Sequence, residues 1–178
     1  MHNRINGKNV LIRKLKLRDK DDIYNAINDR DIIKWLTNVP WPYKPEYAEG
    51  HIRRSIAGWR TKKRFQFGIC LENDRVIGMI SLSKIDYQNK MAVLGYWLSK
   101  NYWNKGIMSE ALKLVEKFAF RELKLHRLHA EVYSENASSA RVLMKAGFKH
   151  EGTLRDKLRI KGRYQNVCIY GKLAGGVK

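Results

Sequence analysis

The sequence predicts an α/β fold in which a mixed sheet of about seven strands is flanked by helices. Segments with the two-residue alternation of strands are interleaved with segments that repeat apolar residues every three to four positions, as helices do. Their order is β-α-α-α-β-β-β-α-β-α-β-β. With 178 residues, 44% of them hydrophobic, the chain can bury a substantial core, and we expect one domain over residues 1–178.

The first third of the chain is predicted to contain one strand and three helices. Alternation over residues 9–15 indicates the opening strand, and Asp19 is placed to cap the helix that follows. A second, short helix is expected over 31–36 and a third over 46–62. The segment 39–45 between them holds all three prolines and is predicted to be an extended loop.

The rest of the chain is predicted to alternate strands with helices. Alternation and turn residues predict strands over 65–71, 76–85, 91–98, 128–133, 149–158 and 163–173. One helix is expected from about Met108, and another from a cap at Asn136 to a glycine stop at Gly147. The last two strands are expected to turn at Lys161 and Gly162.

Composition excludes several classes of protein. An aromatic content of 11% argues against disorder, no apolar run approaches the ~18 residues that span a bilayer, and the first nine residues lack the apolar segment of a secretory signal. Cys70 and Cys168 lie in apolar surroundings without metal-ligand spacing. We therefore expect buried free thiols in a cytoplasmic protein with no metal site and no membrane partner.

The net charge of +19, from 36 basic and 17 acidic residues, is the strongest bulk signal. Most of these side chains are expected to form a solvated basic surface. The excess also suits an anionic partner, such as nucleic acid, a ribosome, an acidic protein or a phosphorylated cofactor. Charge alone does not choose among them.

A loop leads through Gly106 into a helix and forms a candidate anion site. Ile107, Met108 and Ser109 offer main-chain N–H groups at the positive end of the helix dipole, and Lys105 adds charge. The segment is neither a Walker loop nor a dinucleotide-binding GxGxxG. Because one glycine before a helix is common, this stretch alone leaves an anion site and a plain helix start equally open.

A second helix start follows the next strand along the chain. Asn136, Ser138, Ser139 and Arg141 lie at or near it, and Asn136 taken alone is adequately explained as a helix cap. The two stretches together place two helix N-termini after two neighbouring strands. Ligands enter α/β sheets in this topological setting.

The combined motifs resemble the GCN5-related N-acetyltransferase (GNAT) superfamily. The segment LGYWLSKNYWNKGIMSEAL and the later NASSARVLMKAGF carry the likeness. The tail LRDKLRIKGRYQNVCIYGKL and the opening IRKLKLRDKDDIYNAIND are similar to its RimJ/RimL-like branch, which acetylates N-termini of ribosomal proteins. The likeness covers most of the chain and is weakest over 40–64. It implies a GNAT fold, in which the mixed sheet is mostly antiparallel and a splayed central strand pair forms the acetyl-CoA cleft.

The resemblance implies acetyl-CoA as cofactor, with CoA as product. The family's phosphate-binding motif matches 103–108, so main-chain N–H groups from Asn104 to Ser109 would hold the pyrophosphate. The strand ending at Leu98 would pair with the pantetheine arm, Asn136 would bind that arm, and Ser139 would lie near the sulfur. The implied cofactor-binding residues are Tyr96, Trp97, Leu98, Trp103, Asn104, Lys105, Gly106, Ile107, Met108, Ser109, Asn136 and Ser139.

The chemistry requires a neutral amine, donors for the oxyanion and a proton or hydrogen bond for the leaving thiolate. We expect direct transfer without an acyl-enzyme, with Ser139 assisting the thiolate and a strand N–H near Leu98 polarising the carbonyl. Many relatives carry an acidic residue where this chain has Val93. Glu110 and Glu131 remain candidate bases, although Glu110 also suits the helix dipole and Glu131 an ion pair.

We predict acetyl transfer to a primary amine, above all the N-terminal α-amine of a ribosomal protein. Such an amine, with a pKa of ~7.7–8.0, is already partly neutral and can lose its proton through a water path. The alternative acceptor is a small amine, a polyamine or an antibiotic. A third hypothesis is a basic RNA-binding module without catalysis, since aromatic and basic residues interleave at 102–105 and 163–164. Whether the protein is a monomer or a homodimer stays open, as does indirect association with the ribosome or RNA through the basic surface.

Overall fold

The computed structural model describes residues 3–37, 39–160 and 162–176, which form one eight-stranded sheet. The strands are β1 (Arg4–Asn6), β2 (Leu11–Lys14), β3 (Phe65–Cys70), β4 (Val76–Asp86), β5 (Met91–Leu98), β6 (Arg127–Tyr133), β7 (Lys149–Ile160) and β8 (Arg163–Leu173). Their order is β1-β2-β3-β4-β5-β6-β8-β7. Every neighbouring pair is antiparallel except β5 and β6, which are parallel. The predicted mixed, mostly antiparallel sheet is confirmed; the short β1 was not predicted, and Lys161 lies outside the described residues.

The predicted helices are present, with ends that differ by a few residues. They are α1 (Lys20–Ile27), α2 (Arg30–Ile33), α3 (Pro45–Thr61), α4 (Ile107–Lys117) and α5 (Ala137–Lys145). Pro45 occupies the first turn of α3, where its missing N–H costs no helical hydrogen bond. A π-helical turn, Phe118–Glu122, continues α4. No helix in the described part of the chain is long and apolar enough to cross a membrane.

Both predicted ends of α5 are confirmed. The Asn136 side chain accepts a hydrogen bond from the main-chain N–H of Ser139, as an N-cap does. At the other end Gly147 adopts a left-handed φ of 86°, and Phe148 N–H donates to Leu143 O at 3.0 Å. This is the glycine stop with its hydrophobic contact, since Phe148 and Leu143 are both buried.

The prediction that the Asp19 side chain caps α1 was wrong. Asp19 precedes α1, but its side chain makes no capping hydrogen bond to the helix. It is buried and accepts two hydrogen bonds from the Arg13 guanidinium, at 2.8 and 2.9 Å. Arg13 also donates to Asp74 at 2.5 Å, so a single cation ties β2 to the start of α1 and to the β3–β4 turn.

Two hydrophobic clusters cover the two faces of the sheet. One contains side chains from α1, α2 and α3, and the other contains side chains from α4 and α5. Cys70 is buried in the first and is a free thiol, as predicted. Cys168 is also free but only half-buried, because it lies on β8 toward the edge of the sheet, so its predicted burial was wrong in part.

The parallel pair β5 and β6 separates part of the way along. Hydrogen-bonded pairing covers only Met91–Leu94 with Arg127–Ala130, although β5 continues to Leu98 and β6 to Tyr133. Because α4 follows β5 and α5 follows β6, both helix N-termini lie beside the opening. The predicted splayed pair is therefore present.

Candidate active site

A cavity of about 530 Å³ occupies the opening between β5 and β6. Most of the predicted site residues line it: Tyr96, Trp97, Leu98, Trp103, Asn104, Gly106, Ile107, Met108, Ser109, Glu131, Asn136 and Ser139. The structure thus brings the two sequence stretches together around one space. Two predicted residues, Lys105 and Glu110, lie outside it.

The start of α4 presents main-chain donors to the cavity. Asn104 and Gly106 have left-handed φ values of 60° and 75°, and the first helical hydrogen bond runs from Glu110 N–H to Gly106 O. Ile107 and Met108 bury their side chains, so they can serve a ligand only through the main chain. A Cβ on Gly106 would meet nothing within 4 Å. The arrangement fits a bound pyrophosphate that approaches the backbone closely.

Trp103 holds the loop against the end of β5. Its indole N–H donates to the Leu98 carbonyl at 2.8 Å. This carbonyl therefore already has an internal donor, and Trp103 acts as a positioning residue for the loop. Lys105 places its ammonium 5.7 Å from the centre of the Tyr102 ring, a cation–π contact outside the cavity.

The start of α5 is organised by Asn136. Its side-chain oxygen accepts from Ser139 N–H at 3.1 Å and from the Ser138 hydroxyl at 2.8 Å. The amide nitrogen of Asn136 makes no hydrogen bond to a described residue. Its NH₂ group is thus the donor available to a ligand in the cavity.

Tyr96 supplies a hydroxyl that the sequence analysis overlooked, because Tyr96 was considered only for its main chain. The hydroxyl lies 2.8 Å from Ser139 Oγ and 3.2 Å from the Ser139 carbonyl. Burial raises the pKa of Tyr96 to about 12, against the opposing effect of the Ser139 hydrogen bond. The phenol is therefore protonated at neutral pH. Strand alternation could have found it, since Tyr96 falls on the same face as the buried Leu94 and Leu98.

The two candidate bases occupy very different surroundings. Glu131 lines the cavity from β6, and its carboxylate forms an ion pair with the Lys157 ammonium at 2.9 Å. Glu110 instead receives hydrogen bonds from Lys8 N–H, Asn9 N–H and the Asn9 side-chain amide. Glu110 therefore fastens the segment before β2 to α4, and the structure gives no support for it as a base.

Replacing Glu110 with glutamine is expected to lower the free energy of unfolding at pH 7 by about 1–2 kcal/mol, because charge-assisted hydrogen bonds to the backbone are lost. Burial raises the pKa of Glu110, but the hydrogen bonds from Asn9 and Lys8 outweigh it and lower that pKa. The difference in free energy of unfolding between the wild type and Glu110→Gln should be complete above ~pH 4.3, the usual pKa of a glutamate. It should vanish as pH falls through the lowered pKa of Glu110 in the folded protein. Urea unfolding measures it. Glu72→Gln, at an exposed turn carboxylate, is the control; equal losses in both variants would contradict the fastening role.

Comparison with known proteins identifies the family. Residues 9–149 match the model of the acetyltransferase (GNAT) domain. The uncharacterized N-acetyltransferase p20 of Bacillus licheniformis is 33% identical over 168 residues, 92% of each chain. The ribosomal-protein-serine acetyltransferase of Escherichia coli is 30% identical over 143 residues, 78% of this chain and 79% of the relative.

Solved structures share the fold over nearly the whole chain. The ribosomal-protein-S5-alanine acetyltransferase of Vibrio fischeri superposes with a TM-score of 0.87 at 25% identity, covering 98% of both chains. The microcin C7 self-immunity acetyltransferase MccE, solved with acetyl-CoA and AMP, gives a TM-score of 0.84 at 23% identity, covering 94% and 93%.

The chain belongs to the GNAT acetyltransferase family, and it is an N-acetyltransferase of that type. Its similarity to ribosomal-protein acetyltransferases confirms the predicted RimJ/RimL-like branch. Membership of this acetyltransferase family supports acetyl-CoA as the cosubstrate.

Proposed function

We propose that this protein transfers the acetyl group of acetyl-CoA directly to the N-terminal α-amine of a protein, specifically a ribosomal one. The observation that carries the proposal is the continuous cavity between β5 and β6. It extends from the N–H groups at the start of α4, past Tyr96 and Ser139, to Glu131 and Tyr133. A space of about 530 Å³ suits an extended thioester with an amine beside it. Relatives named as ribosomal-protein acetyltransferases support the protein acceptor.

Each part of the cofactor has a matching group in the chain. The N–H groups of Ile107, Met108 and Ser109 would hold the pyrophosphate at the positive end of α4. Beyond Leu94, β5 has no pairing with β6, so its main chain can bind the amides of the pantetheine arm as a neighbouring strand would. The Asn136 NH₂ group would bind the same arm.

The residues around the sulfur position support direct transfer. The neutral amine attacks the thioester carbonyl, the C–S bond breaks, and the Tyr96 hydroxyl gives its proton to the leaving thiolate. Ser139, hydrogen-bonded to Tyr96, orients that proton. Burial raises the pKa of the Cys70 thiol to about 12, so Cys70 is not a nucleophile at neutral pH.

Tyr96→Phe is expected to lower kcat about 10- to 100-fold with a smaller change in the KM for acetyl-CoA, because a general acid acts in the transition state. Ser139→Ala should produce a similar loss. The double variant should lose much less than the product of the two losses, since the hydroxyls act as a unit. Steady-state release of CoA thiol measures this. Tyr87→Phe is the control, because its hydroxyl binds Lys62 O on an exposed surface; an unchanged kcat in Tyr96→Phe would exclude the acid role.

Glu131 is the carboxylate we assign to proton removal from the amine, through water. Glu131→Gln is expected to lower kcat/KM about 10-fold at pH 7. The deficit should shrink toward pH 9, where an α-amine with a pKa of ~7.7–8.0 is already neutral. A pH–rate profile of both proteins measures it. A deficit that is the same at every pH would show that Glu131 acts only through its ion pair with Lys157.

The proposal as a whole is tested with acetyl-CoA and unblocked N-terminal peptides. The peptides start with serine or alanine, and the same peptides with formylated N-termini but a free lysine serve as controls. Thiol release with the unblocked set and none with the blocked set is the expected result. Activity on the blocked peptides would show that the acceptor is a lysine side chain. Activity on polyamines alone would show that the acceptor is a small-molecule amine.

A further inference from the structure

A second cavity of about 420 Å³ lies on the other side of β5, between the sheet and α3. It shares Leu36, Thr37 and the β5 residues 95–97 with the first cavity. The two spaces are therefore separated by little more than one strand and a short segment after α2. An acceptor whose amine lies in the first cavity can extend a neighbouring side chain into the second.

The second cavity carries more positive than negative charge. Arg54 and Arg64 line it, and Glu46 is the one acidic residue among the described residues that do so. Neither arginine has a described carboxylate within ion-pair distance, whereas Arg53, the residue before Arg54 on α3, pairs with Glu49 at 2.8 Å. Burial, together with the charges of Arg54 and Arg64, lowers the pKa of His51 to about 4. His51 is therefore neutral and does not add to the charge.

Two neutral polar side chains, His51 and Gln66, line the second cavity. Gln66 is 6% exposed and lines the cavity, and its side-chain oxygen makes no hydrogen bond with a described residue. The Gln66 amide nitrogen meets only the Met79 sulfur, at 3.8 Å. His51 Nε2 is likewise buried without a partner. Gln66 lies close enough to His51 to raise its pKa as a hydrogen-bond partner does, against the larger effect of burial, so these two side chains partly satisfy each other.

We propose that the second cavity binds a carboxylate side chain of the acceptor, so that the preferred protein N-terminus carries Asp or Glu within its first few residues. This inference rests on the proposed function. Arg54 and Arg64 supply the forked donors that suit a carboxylate. A side chain one or two residues after the amine lies within about 3.5–7 Å of it along an extended chain, which fits two cavities sharing one wall.

The positive charge of the second cavity also disfavours a cationic acceptor. Arg54 and Arg64 are exposed, and a polyamine would place ammonium groups beside these two guanidinium groups, a like-charge contact that is unfavourable. An uncharged side chain would leave Arg54 and Arg64 without a partner. An acidic side chain satisfies both arginines.

The test compares the kcat/KM of three peptides that start with serine and differ only at the second residue: aspartate, glutamine or lysine. The wild-type protein is expected to prefer the aspartate peptide to the glutamine peptide at least about 10-fold, as one charge-assisted pair implies. Arg54→Gln should bring that ratio close to one. Arg54→Glu should turn the preference toward the lysine peptide, and Arg64→Gln should lower the ratio in the same direction.

Arg60→Glu is the matched control, because Arg60 lies on the same helix, is exposed and does not line the cavity. It should keep the wild-type ratio. Thermal unfolding with and without CoA checks that each variant is folded and binds the cofactor. If Arg54→Glu does not fold, the peptide preference of Arg54→Gln provides the test. Equal kcat/KM values for the three peptides in the wild type, or a preference that survives Arg54→Glu, would overturn this inference and leave the proposed function standing. No acetylation of any peptide would overturn both.

Discussion

Replacing Gly106 with valine is expected to weaken CoA binding about 100-fold. Two effects combine. Gly106 has a φ of 75°, where a β-branched residue is strained by about 1–3 kcal/mol, and relief of that strain would turn the following N–H groups away from their common point. A new side chain would also enter the open space in front of the helix, where the structure has no atom within 4 Å. Loss of two charge-assisted hydrogen bonds already amounts to about 3 kcal/mol, or a factor of 100.

Gly162→Val is the control that separates the general cost of backbone strain from the loss of CoA binding. Gly162 has a similar φ of 83° and equally open surroundings, but it lies between β7 and β8, away from the cavity. The two variants should therefore lose comparable stability in urea, while only Gly106→Val loses CoA affinity, measured by isothermal titration. Normal CoA binding by Gly106→Val would rule out the anion site at the start of α4.

Arg13→Met is expected to lower the free energy of unfolding by about 3–5 kcal/mol, a large share of the ~5–15 kcal/mol of an ordinary domain. Arg13 is buried, with a 4% exposed side chain, and it holds the equally buried Asp19 through two hydrogen bonds. Methionine fills a similar volume but leaves Asp19 as a buried charge without its partner. Denaturant unfolding at pH 7 measures the loss.

Two further variants identify the cause. Arg18→Met removes a cation from the same Asp74 carboxylate, but the Arg18 side chain is 68% exposed, so the loss should not exceed about 1 kcal/mol. Asp19→Asn added to Arg13→Met should recover part of the loss, because the buried charge is then gone. If Arg13→Met and Arg18→Met lower the free energy of unfolding equally, burial of the Arg13–Asp19 pair is not the cause of the loss.

The same network predicts a pH dependence. Burial opposes ionisation of Asp74, but hydrogen bonds from Arg13 and Lys16 outweigh it and lower the pKa of Asp74 to about 2. A carboxyl with a lowered folded pKa stabilises the protein above its unfolded value of ~3.9, and that contribution is lost as pH falls toward 2. The stability difference between wild type and Arg13→Met should therefore narrow over this window.

Periodicity and turn chemistry predicted most of the fold, because strands and helices here follow local rules. The capped helix from Asn136 to Gly147 is the clearest case, since both its ends are decided by residues within a few positions. Asp19 shows where local rules fail. An aspartate before a helix is usually a cap, but a buried arginine on β2 competes for it, and no window of sequence around Asp19 reveals that contact.

Most residues that line the first cavity were predictable from the sequence, and the arginines of the second cavity were not. Gly106 and Asn136 belong to short motifs that carry their own geometry. Arg54 and Arg64 lie in the stretch 40–64, where the resemblance is weakest, and the fold alone brings them to a common cavity. The contacts of Glu110 could not be predicted, because its partners, Lys8 and Asn9, are about a hundred residues away in sequence.

The short pairing of β5 with β6 has a mechanical consequence. The strands β1 to β5 and the strands β6 to β8 form two halves joined, within the sheet, by Met91–Leu94 and Arg127–Ala130. A pantetheine chain bound along the unpaired part of β5 and β6 would contact both halves of the sheet and hold them together. Cofactor occupancy should then slow amide hydrogen exchange in both halves at once.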